Sequence, residues 1–143
     1  MKKVLLKSGD FEFVAVMEEE KSPKTCEWLL NKLPWEIGMI HVSWSGEACF
    51  GRLLDQAWGL PYESTLRIVH PGQIIVYPGG KPELQMSGEF YLGWGYNEIN
   101  CDNGPLSGNH VLTIVEGMDR LEEFGVKVHY EGLQKMTVSL LEE

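Results

Sequence analysis

The chain has 143 residues, 43% of them hydrophobic and 10% aromatic, enough to bury a substantial core. Its 12 basic and 21 acidic residues give a formal net charge of −9, with no cluster of Lys or Arg to offset it. Nucleic acid and anionic membrane surfaces both call for a basic face, so neither is an expected partner.

The predicted elements follow in chain order. Residues 4–7 and 11–17 flank Ser8-Gly9-Asp10, a turn signal, and read as an opening hairpin. Phe11, Phe13, Ala15 and Met17 share one face of its second strand, and Val14 and Val16 make the other face apolar as well. Both faces are therefore expected to be covered. Ser22 reads as an N-cap and Pro23 as a first helical residue, where the missing N–H is no loss. Cys26, Leu29, Leu30 and Leu33 follow at i, i+3, i+4 and i+7, the stripe of a helix of about three turns that stops at Pro34.

The period then changes to two. Residues 39–44 read as a strand with Ile40, Val42 and Trp44 on one face, Ser45-Gly46-Glu47 as a turn, and 48–54 as the next strand. Residues 55–64 lack periodicity and read as a loop, and 66–69 as a further strand. Pro71-Gly72 and Pro78-Gly79-Gly80 are turns around a buried strand at 74–77. A strand rich in aromatics spans 89–96, a loop 100–109, and a strand 111–115. Residues 119–124 predict a short helix ended by Gly125. Met136, Val138 and Leu140 alternate with Lys135, Thr137 and Ser139 in a closing strand with one wet face. No repeat or linker interrupts the sequence, so residues 1–143 read as a single domain.

The chemistry-bearing residues are sparse. Cys26, Cys49 and Cys101 are odd in number and widely spaced; they read as small buried apolar residues, not as a disulfide framework or metal pair. His41, His70, His110 and His129 share no short ligand motif, so no metal is expected. Neither a phosphate-binding glycine loop nor a nucleophile elbow is present, and no cofactor is called for. The apolar stretch Val4-Leu5-Leu6 is too short for a signal-peptide core, and no segment has membrane-spanning length. The cytoplasm is the expected compartment.

Three segments, in matching order, resemble the cyclophilin family. Ser22-Pro23-Lys24-Thr25-Cys26-Glu27-Trp28-Leu29 is similar to the "APKTVENF" start of the cyclophilin first helix. Cys49-Phe50-Gly51-Arg52-Leu53-Leu54 resembles the strand "F-H-R-V-I", and Val115-Glu116-Gly117-Met118-Asp119 the "VVEGMD" strand-to-helix turn. The resemblance implies a mainly β fold: a closed antiparallel cyclophilin-like barrel of about eight strands with two short capping helices. The aromatic and glutamine of the cyclophilin "F-x-x-QGGD" have no assured counterpart in Asp55-Gln56-Ala57-Trp58-Gly59-Leu60-Pro61, and the "MANAG…NGSQFFI" stretch is missing. The stretches 72–80 and 91–95, with the Trp44-Ser45-Gly46-Glu47 turn, look more like a group of uncharacterised small prokaryotic proteins with a cyclophilin-like fold.

Arg52 is the first candidate site residue. In cyclophilins the matching arginine donates hydrogen bonds to the proline amide as its C–N bond twists, so the resemblance implies a catalytic role for Arg52 if the chain is a peptidyl-prolyl isomerase. Trp44, Tyr77, Tyr91, Trp94 and Tyr96 are large rings on neighbouring strands that suit either a core or the wall of an apolar cleft. His41 could face water or a pocket. The leading expectation is a protein that binds a small molecule or peptide through Arg52, His41, Trp44, Tyr77, Trp94 and Tyr96. An isomerase using Arg52 is the alternative, and self-assembly into a homo-oligomer through a barrel face is a third reading.

Overall fold

The computed structural model describes residues 1–141. Strands β1 (Lys3–Ser8) and β2 (Phe11–Met17) pair antiparallel, with Lys3 opposite Val16 and Ser8 opposite Phe11. On β2 Phe11, Phe13, Ala15 and Met17 share the buried face as expected, while Val14 and Val16 are only half-buried, so the second face is less covered than its apolar residues imply. Helix α1 (Pro23–Leu30) is shorter than its stripe implied and ends at Asn31. Cys26 and Leu29 are buried in it, and Leu30 and Leu33 are half-buried.

Ser22 stands at the N-cap with Pro23 after it, as expected, but its hydroxyl makes no capping hydrogen bond and is buried without a partner. The capping group is the Glu63 carboxylate, which accepts from the Lys24 amide at 2.9 Å, the Thr25 amide at 3.1 Å and the Thr25 hydroxyl at 2.7 Å. A carboxylate at a helix N-terminus satisfies orphan amides and faces the positive end of the dipole. Asn109 completes the tie. Its Oδ1 accepts from the Glu63 amide at 2.7 Å, and its Nδ2 donates to the Thr25 hydroxyl at 3.0 Å. The loop at 55–64 is thereby fastened to α1.

Strand β3 (Trp35–His41) starts earlier than the predicted 39–44. Its register is set by the closing strand β11 (Gln134–Leu140), with Trp35 opposite Val138 and Met39 opposite Gln134. Ile37 and Met39 are therefore the inward residues, and the chain has left the sheet by Val42. Strand β4 (Gly46–Leu54) follows, then short β5 (Thr65–Leu66), β6 (Gln73–Tyr77) and β7 (Gly88–Asn97). The predicted loop after β7 contains a two-stranded ribbon, β8 (Asn100–Cys101) with β9 (Gly104–Pro105). Strand β10 (Gly108–Glu116), a 3₁₀ turn at Met118–Arg120 and helix α2 (Leu121–Glu131) lead into β11.

Helix α2 runs straight through Gly125, where the sequence predicts its end. A Cβ there would lie 2.1 Å from a ring carbon of Trp94, so the missing side chain lets the helix pack onto that indole. The glycine serves a close approach, not a stop.

Eight strands close the barrel in the order β2-β1-β11-β3-β4-β7-β6-β10, with β10 pairing back onto β2 and every pairing antiparallel. The expected mainly β, closed antiparallel barrel of about eight strands with two helices is the architecture found. Its interior is filled by Val4, Leu6, Phe13, Met39, Phe90, Val111 and their neighbours. A second apolar cluster lies on the outer face of β4, β7 and β6, where the segments around Val69, Ile99 and Leu106 cover Ala48, Ile75, Tyr77 and Tyr91. This outer layer positions the site.

Candidate functional site

Alternation along β4 turns Cys49, Gly51 and Leu53 into the barrel and leaves Phe50 and Arg52 on the outer face. Sheet register puts Arg52 directly opposite Glu89 of β7, and Glu89 opposite Tyr77 of β6. Arg52, Glu89 and Tyr77 thus form one cross-strand row on the outside of the barrel. Immediately after Arg52 the ladder is interrupted by a bulge. Leu54 sits at φ 55°, a region unusual for a side chain larger than glycine, and its amide donates to the Ser87 hydroxyl at 3.2 Å.

The arm between β6 and β7 folds back over this row. Gly79, at φ 79°, permits the tight return, since a Cβ there would lie 2.5 Å from the Met86 carbonyl. Besides the Leu54–Ser87 bond, three contacts fasten the arm near the row. The Tyr77 hydroxyl donates to the Gln85 carbonyl at 2.8 Å, the Trp58 indole to the Met86 carbonyl at 2.8 Å, and the Gln85 amide to Glu89 Oε2 at 2.6 Å. Across from the arm, the 42–45 turn is held by the Asn100 amide, which donates to the Ser45 hydroxyl at 2.9 Å.

Between arm and turn lies a cleft of about 250 Å³. Val42, Trp44 and Phe50 supply its apolar surface, serines with Gln85 and Asn100 its neutral polar groups, and Arg52 and Glu89 its ionisable ones. Arg52 also borders a second, more open hollow of about 490 Å³ with Leu54, Trp58 and Met86. Among the described residues the Arg52 guanidinium makes no hydrogen bond and no ion pair, whereas Glu89 is 6% exposed and bonded only to Gln85. Burial pushes the Glu89 carboxyl up to about 7, against the smaller opposite effect of the Gln85 hydrogen bond. The cleft therefore presents unused guanidinium donors beside a carboxyl that changes charge near neutrality.

The candidate residues scatter around this place. Arg52 and Trp44 meet in the cleft, with Trp44 61% exposed at its lip. Tyr77 is buried in the outer layer, and its ring borders a neighbouring hollow with Tyr62, Arg67 and Lys81. His41 lies at the end of β3, stacked on His129 of α2 with ring centroids 3.7 Å apart. Trp94 is buried beneath α2, and its indole N–H has no partner. Tyr96 is 74% exposed and lines none of these hollows, while Tyr91 is buried and donates to Asn97 Oδ1 at 2.8 Å. Glu89 and Gln85 were not anticipated. The available signal was an acid heading an otherwise apolar run, Phe90-Tyr91-Leu92, where a charge is seldom tolerated without a purpose.

Among the described residues, no three of His, Cys, Asp and Glu come together as a metal site. Cys26, Cys49 and Cys101 are buried, and burial pushes the Cys26 and Cys49 thiols up to about 12, away from nucleophilic reactivity. No helix of the described residues is long and apolar enough to cross a membrane.

Fold and cleft together define a closed β-barrel protein with an arginine-edged cleft on its outer wall. The chain belongs to the family described as "Protein of unknown function (DUF3830)", which matches residues 4–140. No curated protein matches it. Among solved structures it is similar to McbB in complex with tryptophan, at 18% identity and a TM-score of 0.67, covering 98% of this chain and 45% of that one. The chain thus spans less than half the length of McbB. It is also similar to the hypothetical protein AF2241 from Archaeoglobus fulgidus, at 15% identity and a TM-score of 0.62, covering 98% of this chain and 95% of the other. At these identities the likeness is one of fold.

Proposed function

We propose that this is a small-molecule-binding protein on a cyclophilin-like barrel, with the ligand held at Arg52 between the 42–45 turn and the arm before β7. The observation that carries the reading is the Arg52 guanidinium, unpaired among the described residues, which lines a cleft walled by Trp44 and Phe50. An arginine that has no carboxylate partner among the described residues, on an acidic protein, is a ready site for a carboxylate or carbonyl oxygen, held by paired N–H donors. The flanking rings suit a flat apolar group on the same molecule. The solved complex of McbB with tryptophan is a reason to place amino acids and their acid derivatives first in a screening panel.

The test is calorimetric titration of such a panel into wild type and Arg52→Ala. A hydrogen bond to a charged group contributes roughly 1.5–3 kcal/mol, so affinity should fall at least about tenfold in the variant. Equal affinity in both proteins would remove Arg52 from the site. An X-Pro peptide assay on the same pair addresses the isomerase alternative. Uncatalysed exchange takes tens of seconds or more, so weak catalysis is visible, and none is expected. Isomerisation that disappears with Arg52→Ala would replace the binding reading.

A further inference from the structure

The cleft contains a second pole that the arginine alone does not explain. Arg52 and Glu89 are cross-strand partners, a placement in which opposite charges ordinarily meet. Yet they are not among the ion pairs of the described residues closer than 4.0 Å. Glu89 is engaged by the arm instead: Gln85 donates to one Glu89 oxygen at 2.6 Å and to the Ser87 carbonyl at 3.0 Å. Among the described residues the other oxygen has no hydrogen-bond partner, and the side chain that carries it lines the same cleft as Arg52. Opposite charges are thus held apart on one cleft wall, with Trp44 and Phe50 beside them.

Building on the binding reading above, we infer that Glu89 is the cation-recognising pole of the site and that the ligand is an amino-carboxylate. Its carboxylate lies on Arg52, its ammonium on the free oxygen of Glu89, and its aromatic or apolar side chain against Trp44 and Phe50. The two poles of an α-amino acid are as close as two neighbouring strands can present, and a cleft of about 250 Å³ suits a single such molecule. A simple acid would leave the buried Glu89 unmatched, at the cost of an unpaired buried charge, whereas a simple amine would forgo the hydrogen bonds offered by the exposed Arg52.

This arrangement carries a pH signature. The groups facing Glu89 are Arg52 from β4, Tyr77 from β6, Tyr91 on its own strand and Gln85 from the arm. The two tyrosines are pushed above their usual range by burial and stay neutral, so Glu89 is the group that titrates near neutrality. An ammonium is bound by the carboxylate form, and its affinity therefore rises with pH through about 7.

The experiment uses three matched probes: phenylalanine, 3-phenylpropanoate and 2-phenylethylamine, titrated into wild type and Glu89→Gln at pH about 6 and about 7.5. Glutamine keeps an acceptor for the Gln85 amide, so the arm stays fastened while the charge is lost. Wild type should bind phenylalanine at least about tenfold more tightly than either single-charge probe, with tighter binding at the higher pH. Glu89→Gln should lose that preference and the pH dependence while binding 3-phenylpropanoate at least as well as wild type. If wild type binds the acid and the amino acid equally, or the variant keeps the preference, Glu89 only fastens the arm and the inference falls while the Arg52 reading stands. If none of the three probes binds wild type, both fall.

Discussion

Gly125 shows how one residue can be misread in sequence and yet be decisive in the fold. In an isolated helix, replacing glycine by alanine gains roughly 1 kcal/mol of helix propensity. Here the added methyl would meet the Trp94 indole at 2.1 Å. Gly125→Ala is therefore expected to destabilise the protein by about 1–3 kcal/mol, the usual cost of overpacking, despite the better propensity. A urea midpoint equal to or above that of wild type would show that the indole yields freely. The bulge residue Leu54 makes the complementary case: its φ of 55° is strained for a side chain larger than glycine, and it stands two residues after Arg52, where the register of the β4–β7 ladder shifts.

At the scale of elements, helix α2 is docked on the barrel by Gly125 on Trp94 and by His129 on His41, whose rings are parallel within 3°. Burial, and secondarily the nearness of His129, hold the His41 pKa below its usual value of 6.5. The sign follows from linkage. A folded-state pKa below the unfolded one means that acid favours the unfolded chain, so this contribution to stability is full above about pH 6.5 and is lost as pH falls through the folded value. Glu89 acts oppositely, because its raised pKa favours the folded state on protonation. Comparing wild type with His129→Gln cancels that common term. The variant should lose less stability than wild type between about pH 7 and about pH 5.5, since it removes a neighbouring charge from His41. Parallel pH profiles for the two proteins would mean that the ring stack does not couple to folding.

For the molecule as a whole, closure is the governing feature. β1 pairs with β11, and β2 pairs with β10, so the two ends of the chain are woven into one sheet. Neither half owns a complete set of partners. We expect residues 1–143 to unfold as one cooperative domain, with a single transition by both calorimetry and circular dichroism. Two separated transitions in the monomeric protein would sink this expectation.

The hairpin at the start, the α1 stripe with its leading proline and the closing strand were all legible in the sequence, because periodicity and turn chemistry are written in adjacent residues. The resemblance of Ser22–Leu29, Cys49–Leu54 and Val115–Asp119 to cyclophilin segments adds the closed barrel and singles out Arg52. What only the tertiary structure decided was which residues stand beside that arginine. Trp94 and Tyr96 share a strand with Glu89, yet alternation, the twist of the sheet and the docking of α2 send them elsewhere. Ser22 holds the N-cap position, but Glu63, from an aperiodic loop, supplies the capping hydrogen bonds. Glu89 and Gln85 entered the cleft because strand register is fixed by long-range pairing, and a slip of one residue would have turned Glu89 into the barrel interior. Local sequence dictates which strand a side chain belongs to; only the closed ladder dictates what it faces.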